Sequence, residues 1–345
     1  MPTTTISTGI IGFGLSGRVF HAPFIATNPA FRLDVISTAS PDRAAEARTQ
    51  HPSVTIVATP DELLAHDLDL VILASPAFAH LEQALAALDS GAHVVIDKPF
   101  VPTVSDAKLL IAKADEVSRM LTVFQNRRWD GDFLTVRRLI DAGELGDVHR
   151  FESAFERWSG PNRDRWQDTQ PANFGTGITY DLGSHLIDQA LQLFGPAIVE
   201  SAELLRVREG SVSDDDAFLS LLHENGVRSH LTMSRVAGQS GPRFRVLGSR
   251  AAYTVHGLDP QEDALKESRW PGSPGYGEAP ESEWGLLGAG DGLRVVPTEA
   301  GDYPAFYAGV AASIRDSAPP PVDPRDSLEV VRIIERAHAL SQAAR

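Results

Sequence analysis

The stretch Ile6-Ser7-Thr8-Gly9-Ile10-Ile11-Gly12-Phe13-Gly14-Leu15-Ser16-Gly17 decides the fold of the N-terminal third. Ile6–Ile11 is a short apolar run of strand length, and it ends in a full G-x-G-x-x-G. Arg18–Ala26 can then start a helix. Each glycine has a physical job in such a turn. Gly12 permits the tight turn, Gly14 lets backbone approach a pyrophosphate, and Gly17 allows close helix–strand packing. Phe13, Leu15 and Ser16 complete the loop, whose free N–H groups and helix dipole suit an anion. Taken alone, the same six residues also fit a glycine-rich turn that binds nothing.

The flanking pattern favours the dinucleotide reading. Leu33–Thr38 reads as a second strand, Ala44–Gln50 as a helix, Val54–Val57 as a short strand and Pro60–Ala65 as a helix start. Leu68–Ala74 is an apolar strand of the buried parallel type, and Ala77–Ser90 a helix stopped by Gly91. His93–Asp97, the helix Val104–Arg119 and Leu121–Phe124 complete the series. Strands alternating with helices over about 120 residues predict a doubly wound α/β sheet.

The end of the second strand bears on which dinucleotide. An NAD site normally places Asp or Glu there for the ribose 2′-hydroxyl. Here the residues are Ser37-Thr38-Ala39-Ser40-Pro41-Asp42-Arg43. Thr38 and Ser40 are small hydroxyls, and Arg43 can pair with a 2′-phosphate. Asp34 lies too early in the strand, whereas Asp42 keeps NAD open. NADP is favoured over NAD.

At 345 residues the chain fits two domains. No apolar run approaches the roughly 18 residues of a membrane span. Met1-Pro2-Thr3-Thr4-Thr5 lacks the basic patch of a signal peptide, and there is no cysteine. Thiolate metal sites, disulfides and a cysteine nucleophile are thereby excluded, and a cytoplasmic protein is expected. A net charge of −15 argues against a nucleic-acid surface. No membrane partner is expected either.

Two places carry chemistry. Lys98, in Asp97-Lys98-Pro99, follows a predicted parallel strand, at the edge where open α/β sheets bind ligands. It can donate to a substrate oxygen, or it can be a plain surface lysine; Pro99 restricts it to extended geometry. In Tyr180–Gln189, Asp181 and His185 stand four apart on one predicted helix face. A carboxylate there can orient a histidine base. The same residues also fit a first-turn aspartate complementing the dipole and a packed core histidine. No further His or carboxylate stands at ligand spacing, so no metal is expected.

Five ordered segments give the chain a recognisable likeness. They are Gly12–Phe24, Val94–Phe100, Gln125–Phe133, Tyr180–Gln189 and Tyr303–Tyr307. With them the chain resembles the Gfo/Idh/MocA oxidoreductases nearly end to end. It is most like a YdgJ-type branch similar to NADP-dependent scyllo-inositol dehydrogenases. The resemblance makes Lys98 the lysine of the family's Glu-Lys-Pro motif, with Asp97 in place of the usual Glu. Asp181 and His185 match its Asp-x-x-x-His pair. Ser75, Pro76 and His80 match the loop and helix start beside the nicotinamide, and Asn126 matches a position close to the cofactor.

The resemblance implies a Rossmann domain over residues 1–126. It also implies an α+β domain over 127–345, with an open-faced, mostly antiparallel sheet for substrate binding and dimer contact. Asp132–Ala142 then reads as a helix. Asp147–Trp158, Glu200–Val207, Ala217–His223, Val227–Arg235 and Arg243–Gly248 read as strands. Ser159–Gly177 reads as a loop over the active site whose Arg163, Arg165, Trp166 and Asp168 can meet a polyol. Asp259–Gly301 is expected to be irregular with hairpin pieces. A last helix, 327–344, is expected to pack back on the first domain. A homodimer or homotetramer is implied.

The expected activity is hydride transfer between a secondary alcohol of a cyclic, inositol-like polyol or sugar and NADP. His185 is the expected base, with Lys98 on the reacting oxygen and Asp181 orienting the site. The rival readings are another sugar or keto-sugar used with NAD, and a dinucleotide-binding protein without catalysis.

Overall fold

A computed structural model describes residues 5–160 and 169–343. Within these, the chain forms two compact units.

The first unit holds a six-stranded, all-parallel sheet. Its strands are β1 (Ile6–Ile11), β2 (Phe31–Ser37), β3 (Thr55–Val57), β4 (Leu70–Leu73), β5 (His93–Asp97) and β6 (Leu121–Phe124). The order β3-β2-β1-β4-β5-β6 is that of a dinucleotide-binding sheet. Every residue of β1, β4 and β6 is buried, because helices cover both faces of a parallel sheet.

The helix after the glycine loop starts earlier than its sequence suggests. A wide turn with i→i+5 bonding, Ser16–His21, runs straight into α1, Ala22–Thr27. Helices α2 (Pro41–Gln50), α3 (Pro60–Leu64), α4 (His80–Asp89) and α5 (Val104–Val117) follow. Their starts are chemically marked. The Ser40 hydroxyl accepts from Arg43 N at 3.4 Å, Thr59 and Glu62 form a capping box, and the Thr103 hydroxyl accepts from Asp106 N.

Two later segments belong to this unit, Glu262–Tyr276 and Tyr303–Leu328, so 127–345 is not one continuous domain. Aromatic packing explains the return. Trp270 stacks on His51, and Tyr307 stacks on Phe24 with Phe31, Phe124 and Phe306 around it. The Thr122 hydroxyl also donates to the Val322 carbonyl at 2.8 Å.

The second unit contains α6 (Gly131–Asp141) and eight strands: β7 (Val148–Glu156), β8 (Ala197–Leu205), β9 (Asp216–His223), β10 (Arg228–Ser234), β11 (Phe244–Gly248), β12 (Ala252–Val255), β13 (Gly285–Gly288) and β14 (Arg294–Val296). The order is β14-β13-β12-β11-β7-β10-β9-β8. Only β7 and β10 pair in parallel; the other neighbours are antiparallel. Alternate residues of β7 are buried, as a sheet with one covered face requires.

That face packs on α6, on α7 (Ser184–Phe194) and on the last helix. The last helix, Pro324–Ala343, groups with the second unit from Glu329 onward. Its Val330, Ile333, Ile334 and Ala337 lie in that unit's core, while its first residues, up to Leu328, group with the first unit, where Arg325 pairs with Asp115 at 2.7 Å. Within Asp259–Gly301 the chain forms the short helix Gln261–Lys266 and the β13–β14 hairpin. Sequence reasoning missed β12 and the helix Pro304–Asp316.

Candidate active site

The glycine loop has the shape its spacing implies. Gly12 has φ +95°, and a Cβ there would stand 2.7 Å from the Ala74 carbonyl oxygen. A Cβ on Gly17 would run into the Gly12 carbonyl oxygen. Both positions therefore admit only glycine. Gly14 is open: a Cβ built on it would meet nothing closer than the Arg43 guanidinium, at 3.7 Å. This cradle fits a dinucleotide's pyrophosphate, with backbone N–H groups as donors at the start of a helical run.

The side chains of the loop divide. Phe13 is buried edge-on against His51, so only its backbone can face a ligand, while Leu15 is exposed. Ser16 points inward, and its hydroxyl donates to Asp97 Oδ2 at 2.5 Å.

Beyond β2, the Thr38 hydroxyl accepts from Ser40 N at 3.4 Å. Asp34 is engaged by Arg32 at 2.6 Å, back along the strand. Residues 37–40 after the strand carry no carboxylate, and Asp42 and Arg43 both stand exposed in the first turn of α2.

Lys98 follows β5 directly, joined to Pro99 by a cis peptide bond, and its N–H donates to Asp97 Oδ1 at 2.8 Å. Asp97 thus links the glycine loop to the lysine. The Ser75 hydroxyl donates to Gln83 Oε1 at 2.6 Å, and Pro76 caps the turn into α4. His80, which the resemblance places at the helix start beside the nicotinamide, is held by backbone carbonyls on both ring nitrogens. It is 1% exposed, with Nδ1 2.9 Å from the Phe100 carbonyl oxygen and Nε2 2.9 Å from the Ser75 carbonyl oxygen. Burial holds the ring below its ordinary pKa, although both carbonyls favour the charged form. Its role is to tie the 98–100 turn to the end of β4. Asn126 is buried and opens the tight turn Asn126–Trp129 after β6.

In the second unit, Asp181 and His185 do not sit on one regular helix. Asp181 lies in a wide turn, Thr179–Gly183, and His185 in the first turn of α7, 3% exposed. Asp214 pins the wide turn: its Oδ2 accepts from Thr179 N at 2.8 Å and from the Thr179 hydroxyl at 2.5 Å. Asp181 Oδ2 accepts from Arg235 at 2.7 Å, and Arg157 lies 3.5 Å away. Neither arginine was singled out from sequence. They end two strands 78 residues apart, and no local spacing connects them.

Another pair missed from sequence is Arg128 with Asp188, bidentate at 2.8 and 2.6 Å and buried. Beside it, Gln189 donates to the Arg127 carbonyl at 2.9 Å and accepts from Arg243 at 2.8 Å. The segments 125–133 and 180–189 therefore meet through side chains, which fixes α7. Among the described residues, no cluster of three His, Asp or Glu side chains could hold a metal ion. None of the described helices is long and apolar enough to cross a membrane. Arg163, Arg165, Trp166 and Asp168 lie outside the described residues.

Comparison with known proteins decides the family. Residues 6–125 match the model of the oxidoreductase family's NAD-binding Rossmann fold, and 137–344 match its C-terminal alpha/beta domain. The chain belongs to the Gfo/Idh/MocA oxidoreductase family. It is 37% identical over 341 residues to the oxidoreductase YdgJ of Escherichia coli, covering 96% of this chain and 94% of that one. It is 33% identical over 346 residues to scyllo-inositol 2-dehydrogenase (NADP(+)) IolW of Bacillus subtilis, covering 99% and 95%. The solved structure of the oxidoreductase yvaA from Bacillus subtilis superposes with a TM-score of 0.92 at 33% identity, covering 100% and 98%. As a Gfo/Idh/MocA member, the protein is an NAD(P)-dependent dehydrogenase or reductase.

Proposed function

We propose that the protein oxidises, reversibly, a secondary alcohol of a cyclic polyol or sugar, with NADP preferred to NAD. The substrate class is supported by 33% identity, over nearly the full length of both chains, to a protein named as an NADP-dependent scyllo-inositol dehydrogenase. The cofactor preference is supported by the Arg43 guanidinium standing beside Gly14 where the strand's end lacks a carboxylate.

When bound, the dinucleotide supplies the hydride acceptor. The chain's residues do the rest. The Gly12–Gly17 loop holds the pyrophosphate, and Arg43 holds the 2′-phosphate with Thr38 and Ser40 beside it. Lys98 donates to the reacting oxygen. His185 takes the hydroxyl proton in oxidation and returns it in reduction. Asp181, held by Arg235, supplies the fixed negative charge expected near such a base. Ser75, Pro76 and Asn126 shape the cofactor side, and Asp97 and His80 act from behind Lys98. A homodimer or homotetramer working in the cytoplasm completes the proposal.

The test is turnover on a panel of inositols and sugars with NADP and with NAD, for the native chain, Lys98→Ala and His185→Ala. The native chain is expected to reduce NADP with at least one cyclic polyol. Each variant should lose about 10²- to 10⁴-fold in kcat while binding dinucleotide nearly as before. Near-native turnover in both variants overturns the residue roles. Dinucleotide binding without turnover across the panel overturns the substrate class and favours a binding protein.

A further inference from the structure

Two segments that carry the family likeness contain residues with no role so far. His21 closes the wide turn after the glycine loop, and Tyr307 lies on the helix Pro304–Asp316. Both are buried, and His21 Nδ1 lies 2.6 Å from the Tyr307 hydroxyl. The other ring nitrogen, Nε2, has no hydrogen-bond partner among the described residues and points at Asp97 Oδ1 from 3.9 Å.

The proton inventory settles which way this pair is wired. Burial pushes the imidazole down to about 4 and the phenol well above its ordinary value, so near pH 7 both are neutral. A neutral imidazole has one N–H. If that hydrogen sat on Nδ1, the lone pair of Nε2 would face a carboxylate. With the tyrosine O–H donating to Nδ1, the N–H sits on Nε2 and faces Asp97 favourably. Tyr307 therefore fixes the tautomer.

Asp97 is occupied, though not by His21. Its Oδ1 accepts from Lys98 N–H and its Oδ2 from the Ser16 hydroxyl. A serine hydroxyl has a single proton. Ser16 stands in the loop where the pyrophosphate binds, at the positive end of the helical run. Its proton can go to Asp97 or to a phosphate oxygen, not to both.

We propose that His21 and Tyr307 are positioning residues that take over Asp97 when the pyrophosphate draws the Ser16 hydroxyl away. The carboxylate loses the Ser16 donor and moves about 1 Å closer to His21 Nε2–H, within hydrogen-bond range. Because the same carboxylate holds the backbone N–H of Lys98, cofactor occupancy is passed to the lysine. This rests on the dinucleotide-binding reading above and concerns only residues of the first unit.

The test follows the His21 side chain by NMR on histidine-labelled protein as NADPH is added, the signal being assigned by its loss in His21→Asn. A second arm measures NADPH affinity by nicotinamide fluorescence in the native chain and in Tyr307→Phe, which removes one oxygen. NADPH is expected to move the Nε2–H resonance downfield, as a hydrogen bond to a carboxylate requires. Tyr307→Phe should weaken NADPH binding roughly three- to tenfold. An unchanged His21 signal under saturating NADPH overturns the proposal and leaves the cofactor reading intact. So does native affinity in Tyr307→Phe. Failure of the native chain to bind NADPH overturns both readings.

Discussion

Arg43 is an exposed guanidinium on the first turn of α2, held over a glycine that leaves it room. Its backbone N–H goes to Ser40, which fixes the helix start, while the side chain extends toward Gly14. A 2′-phosphate carries nearly two negative charges and presents oxygens that a guanidinium can take two at a time. A 2′-hydroxyl offers no such gain, and no carboxylate at the end of β2 waits to accept from it. Arg43→Ala should therefore raise the NADPH dissociation constant roughly ten- to a hundredfold, with NADH changed much less. The native preference should shrink as salt rises, since the pair is solvent-facing. Parallel fluorescence titrations with the two cofactors check this. Equal losses for NADPH and NADH would show that Arg43 contacts the shared pyrophosphate instead.

At the scale of elements, the position of α7 depends on Arg128 and Asp188, because they join it to the turn after β6. Removing one partner takes a bidentate counter-charge away from a buried ion, at a cost of about 3–5 kcal/mol. Asp188→Leu alone should thus destabilise the second unit severely, read as a lower urea midpoint. Arg128→Met combined with Asp188→Leu should recover much of the loss, since a matched apolar pair carries no desolvation cost. Additive losses in the double variant would contradict this account. The same pair shows where sequence reading stops. The parallel sheet and the glycine loop were legible because their signals are local: apolar runs of strand length, and glycines whose missing Cβ makes room for the Ala74 and Gly12 carbonyls. Lys98, Asp181 and His185 were found as motif members. The Arg128–Asp188 and Arg235–Asp181 pairs join residues 60 and 54 positions apart, and tertiary packing alone chooses them. The wide turn at Thr179–Gly183 was hidden for a related reason. Its register is set by Asp214, on a distant segment, and not by any breaker within it.

At the scale of the whole molecule, the chain leaves its first unit and returns to it twice, so that unit's stability depends on segments nearly 300 residues apart in sequence. His21 sits at one such closure, with Tyr307 on the returning helix. Its ring is fully buried, and burial lowers its pKa from 6.5 to about 4, against the opposing pull of Asp97. An unfolded chain holds this proton more tightly than the folded one between those two values, so stability must fall as pH falls through that window. The contribution is whole above pH 6.5, declines steadily below it and is exhausted near pH 4. A shift of that size corresponds to roughly 3 kcal/mol. Other groups titrate over the same range, so the informative quantity is a difference. Urea unfolding of the native chain and of His21→Asn, followed from pH 7 to pH 4, should give curves that converge on acidification. The native chain should lose roughly 3 kcal/mol more than the variant, which has no imidazole to charge. Parallel curves would mean that His21 takes up its proton without leaving the folded state, with Asp97 close enough to hold the imidazolium. That outcome would place the carboxylate nearer to His21 than 3.9 Å.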